Sequence, residues 1–135
     1  MNKIIPHKKI FVQDCSIFKN DILVVVGLSC DDILRYSRKI AKKYIIDVLE
    51  ENKNEITKLI NNSHLGFYYY EDLNGASILW LRKYNKNDWQ DLECLMHELY
   101  HAVDFISDQK GFEKEIEAKA FLFEWLFRQI RIKLL

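Results

Sequence analysis

The chain has 135 residues, enough for one domain with a core of its own. Hydrophobic residues make up 49% and charged residues 30%, the balance of a globular protein. Its 20 basic and 20 acidic residues cancel, so no overall field draws it to nucleic acid or to a membrane surface, and neither is expected as a partner.

There is no repeat, low-complexity tract or linker, so residues 1–135 read as a single domain. The stretch Met1 to Phe11 contains Pro6 and charged residues and lacks the apolar run of a signal peptide. Cys15, Cys30 and Cys94 form no C-x-x-C pair, and so sparse a set suits a reducing compartment. A cytoplasmic location is the expectation.

In chain order, Ile10 to Val12 reads as a short strand. Ile22 to Leu28 is continuous, apolar and rich in β-branched residues, which predicts a strand buried on both faces; it is far too short to cross a bilayer. Ser29 reads as an N-cap, with Asp31 and Asp32 in the first turn of a helix. The apolar spacing from Ile33 to Val48 carries that helix to about Glu50. A second helical piece spans roughly Glu55 to Ile60, before the polar Asn61-Asn62-Ser63. Gly66 to Glu71 is aromatic and strand-like, Asn74-Gly75 is a hairpin turn signal, and Ala76 to Tyr84 is the return strand. Asn87 or Asp88 can cap the next helix, whose apolar stripe is Leu92, Leu95, Leu99, Ala102, Val103 and Ile106. Gly111 breaks it, and a last helix runs from about Glu113 to Leu134.

The long helix carries His97-Glu98-Leu99-Tyr100-His101, an H-E-x-x-H pattern. Residues four apart on a helix lie about 40° apart in projection and about 6 Å apart along the axis, so both imidazoles can reach one ion. Glu98 sits beside them, where it can act as general base on an activated water. That is the arrangement of zinc hydrolases. A catalytic zinc needs a third protein ligand. No histidine follows the motif, and the remaining two are His7 and His64. Asp104 and Ser107 stand where a longer histidine motif would place Gly and His. A downstream carboxylate is therefore expected, from Asp104, Asp108, Glu113, Glu115 and Glu117. Glu117 is preferred because Ala118 and Ala120 let its helix approach the motif helix closely. Glu113, one turn earlier on the same face, is the alternative.

Motif and downstream segment together, the latter being Glu117-Ala118-Lys119-Ala120-Phe121-Leu122, resemble the small zincin-type peptidases of the gluzincin kind. The nearest in pattern are the ImmA/IrrE-like proteins of phages and mobile elements. In those proteins a Glu-Ala-Asn-x-Phe-Ala-like segment supplies the third ligand. The preceding hairpin also fits their order of edge strand, turn and inner strand. The resemblance covers roughly residues 64 to 128. Tyr100 stands where the family commonly has Gly, and Lys119 where it has Asn. It implies an α+β, zincin-like fold: a small mixed sheet, a long N-terminal helix, the motif helix, and a C-terminal helix closing the site. It also implies one Zn2+ per chain on His97, His101 and Glu117, with Glu98 as base in hydrolysis of a peptide or protein substrate. A metal-binding interaction module without catalysis is the alternative.

Four further expectations attach to the site. Asp104 can orient a histidine from behind. A Cys94 thiolate is within reach of zinc, although such a cysteine is more often a small buried residue. His64 or some of Tyr68, Tyr69, Tyr70 and Tyr84 can donate to an oxyanion, but alternate tyrosines on a strand face opposite ways. The last helix is apolar on more than one face, which fits core burial or a partner or homodimer surface.

Overall fold

The computed structural model describes residues 8–15, 18–71 and 75–135; His7 and the turn residue Asn74 lie outside them. Strands β1 (Lys9–Cys15), β2 (Asn20–Val26), β3 (Gly66–Tyr70) and β4 (Ala76–Leu81) form one mixed sheet in the order β1-β2-β4-β3. β2 and β4 are parallel, and each edge strand is antiparallel to its neighbour. Among the described residues five helices accompany it: α1 (Cys30–Ile40), α2 (Lys43–Glu51), α3 (Lys53–Asn62), α4 (Trp89–Lys110) and α5 (Ile116–Leu134). The architecture is α+β, as expected.

All seven residues of β2 are buried because the strand is inner and both sheet faces are covered. Leu23 and Val25 join one apolar cluster with α1, α2 and α3; Ile22, Val24 and Val26 join a second with α4 and α5. Two cores thus sandwich the sheet. None of the described helices is long and apolar enough to cross a membrane.

Three expected boundaries are corrected. The helix expected to reach Glu50 is two helices, because Ala41 and Lys42 are extended. The turn delivers Lys42 and Tyr44 to Asp21, a buried carboxylate on β2 that hydrogen-bonds the Tyr44 hydroxyl and lies 3.8 Å from Lys42 Nζ. The long N-terminal helix is therefore the pair α1 and α2, and the second helical piece expected near Glu55 to Ile60 is α3. The return strand stops at Leu81, after which Arg82 stacks on Trp80 and donates to the carbonyls of Ile60, Ser63 and His64. The last helix starts at Ile116, so Glu113 belongs to the preceding turn and not to a helical face shared with Glu117.

Candidate metal centre

The position of α4 is fixed at both ends. Asp88 is its N-cap, accepting from the Gln90 N–H at 2.9 Å. The buried Asp91 carboxylate accepts from the Asn85 N–H at 2.8 Å and pairs with Lys83 at 3.4 Å. At the other end Gly111 adopts φ 77°, and the Phe112 N–H returns to the Ser107 carbonyl. Leu95, Leu99, Ala102, Val103 and Ile106 face the sheet, as the stripe predicts; Leu92 is half-buried and Phe105 joins the core instead.

Where α4 meets the edge strand β3, side-chain bulk is missing. A Cβ on Gly66 would lie 2.6 Å from the Trp80 carbonyl oxygen and 3.1 Å from Cys94 Sγ. Glycine here lets helix and strand approach closely, beside the turn that carries the motif. The sequence signal for this role is a glycine that opens an aromatic strand, where a side chain would otherwise be expected.

His97 and His101 are exposed on α4, with their Nε2 atoms 3.2 Å apart. Two zinc–nitrogen bonds of about 2.0–2.1 Å at a tetrahedral angle hold nitrogens about 3.3 Å apart, so the bite fits a zinc ion. Glu98 lies between them in sequence but points differently: it is 6% exposed, with Oε1 3.9 Å from His97 Nε2. Burial raises its carboxyl pKa above the usual carboxylate value, opposed by the two histidines. A carboxyl that accepts a proton more readily is suited to general-base work.

Glu98 and His101 open into a cavity of about 680 Å³ between α4 and β3. Gly66, Phe67, Tyr68 and Tyr70 form its strand wall, and Asp104, Phe105 and Asp108 its helix wall. Glu113 and Lys119 close it from the α4–α5 turn and α5, Lys119 pairing with Asp104 at 3.2 Å. Asp104 therefore meets a lysine.

Glu117 is exposed on the first turn of α5 and is not among the cavity-lining residues, whereas Glu113 is. Among the described residues no three His, Cys, Asp or Glu side chains converge as a metal-holding group. The donor set thus fits two of the three protein ligands of a catalytic zinc. Burial, with Glu98 and Asp91 adding to it, pushes the Cys94 thiol up to about 11, which disfavours the thiolate.

The tyrosines divide as strand alternation requires. Tyr68 and Tyr70 face the cavity and pack against Phe105. Tyr69 packs on the opposite sheet face, and Tyr84 is buried in the α4–α5 core. The buried Tyr68 hydroxyl has no hydrogen-bond partner among the described residues. His64 is exposed and does not line the cavity.

Comparison of the chain with protein-family models, with curated proteins and with solved structures finds no match.

Proposed function

We propose that the chain is a zinc-dependent peptide hydrolase of the zincin type, with its centre on α4. The observation that carries this reading is the 3.2 Å approach of the two Nε2 atoms beside a buried glutamate, at the mouth of a cavity walled by an edge strand. A zinc ion on His97 and His101 would supply Lewis-acid activation of water and polarisation of a carbonyl. Glu98 takes the proton of the attacking water and returns it to the leaving amine, as its raised affinity for protons favours. Among the described residues β3 pairs only with β4, so its outer edge offers main-chain groups to an extended peptide. Three free cysteines support assignment to a reducing compartment, the cytoplasm.

The third ligand in this proposal is Glu117 or Glu113. The resemblance favours the first, and the shared cavity favours the second. Elemental mass spectrometry on protein purified without added metal or chelator tests the centre. About one zinc per chain, lost in His97→Ala, is expected. A metal-free protein that takes up no added zinc overturns the proposal. Glu117→Gln and Glu113→Gln, assayed the same way, identify the third ligand by which one loses metal.

The second reading, a metal-binding interaction module, is favoured by the exposed aromatic residues Trp89, Tyr100, Phe121 and Trp125 on α4 and α5. Unchanged cellular function in Glu98→Gln would select it.

A further inference from the structure

On α5 the core takes Leu122, Leu126, Ile130 and Leu134. A separate side of the helix leaves Phe121 69%, Trp125 40% and Ile132 59% exposed, and the residue that caps it, Leu135, is 63% exposed. With Ala118 and Arg128 these residues are spaced 3, 4, 3, 4 and 3 apart, the seven-residue repeat of a helix–helix seam. α5 contacts α4 and the edge strand β1.

We infer that this seam receives a second copy of the chain, with the two α5 helices antiparallel about a two-fold axis. Knobs-into-holes packing then sets one register. Phe121 faces the other copy's Ile132, Ala118 faces its Leu135, and Trp125 faces its Arg128. Each layer pairs a large group with one that complements it, and the guanidinium lies on an indole. Arg128 also keeps its own Glu124 at 3.0 Å, so it enters the seam neutralised. The same register brings Glu124 of one helix to Arg131 of the other, twice by symmetry. α5 carries Glu117, Lys119 and Glu124 in its first half, Lys119 being paired with Asp104, and Arg128, Arg131 and Lys133 in its second, so antiparallel self-pairing sets the acidic half against the basic half and parallel pairing opposes like charges. The dimer is independent of whether the histidine pair holds zinc.

Sedimentation equilibrium tests it directly. About twice the chain mass of 16.2 kDa is expected at high protein concentration, falling to one chain in Trp125→Glu. Trp125 is partly exposed, and circular dichroism checks that the variant stays folded. The register is tested by charge exchange. Glu124→Arg should weaken the dimer about tenfold, and Glu124→Arg combined with Arg131→Glu should restore it. A wild-type monomer at the highest soluble concentration overturns the inference, including the case in which the seam takes a different protein. A dimer unaffected by Trp125→Glu overturns the assignment of the seam.

Discussion

Glu98 and Asp21 are both buried carboxylates whose pKa burial raises, yet their surroundings differ in kind. Asp21 lies on an inner strand, hydrogen-bonded by the Tyr44 hydroxyl, with Lys42 nearby and Asp14 opposite on β1. Among the described residues Glu98 has no lysine or arginine paired with it and no hydroxyl donor; the two motif histidines lie beside it, and it opens into a cavity. One site has polar partners supplied by the fold. The other leaves its protonation equilibrium answerable to whatever enters the cleft. Partnering of a buried acid, more than its burial, therefore separates a structural carboxylate from a candidate catalytic one.

The largest expected effect follows at Glu98. Glu98→Gln keeps the shape and both histidines but cannot take a proton. Peptide hydrolysis should fall about 10²–10⁴-fold with zinc content unchanged. Rates on a confirmed substrate beside elemental analysis check this, and a wild-type rate removes Glu98 as the base. Gly66→Ala tests the cleft from the strand side. The new methyl would meet the Trp80 carbonyl, a backbone atom that cannot swing away. A loss of about 1–3 kcal/mol is expected by denaturant titration. An unaltered midpoint would show that β3 and β4 can part locally to admit the methyl. At the other carboxylate, Tyr44→Phe deletes the neutral donor to Asp21. Stability should drop by about 1–3 kcal/mol, the usual cost of stranding a buried acceptor, with no change in zinc uptake.

Most of this scaffold was legible in the sequence because its elements report their own burial. The continuous apolar run of β2, the Ser29 cap and the Gly111 stop are local signals with local causes. The break at Ala41 and Lys42 was not legible. The apolar spacing runs on without proline or glycine, and the turn coincides with contacts from Lys42 and Tyr44 to Asp21, a residue distant in sequence. The site divides in the same way. His97, Glu98 and His101 share one helix, so their spacing sets their geometry. The third ligand of the proposed centre would come from another element, and its placement depends on the α4–α5 turn. That turn puts Glu113 on the cavity wall and leaves Glu117 off it, a result helical periodicity cannot give. Gly66 acts only through what it lacks, so its role emerges once α4 lies against β3.

The smallest expected effect concerns pH. Burial, reinforced by Asp14 and opposed by Lys42, raises the Asp21 pKa above the ordinary 3.8. The folded chain therefore binds this proton more tightly than the unfolded chain. Above the folded pKa the group weighs against the fold in full. As pH falls through that value toward 3.8 the penalty fades, so this group's contribution favours folding at acid pH. Asp21→Asn has no such titration. Between neutral pH and about 4, wild type should gain stability relative to the variant, whichever is the more stable at neutrality. Denaturant titrations of both proteins across that range measure the slope. A slope of opposite sign would mean that Lys42 and Tyr44 outweigh burial and hold Asp21 ionised. Its contrast with Glu98 would then become one of charge as well as of partners.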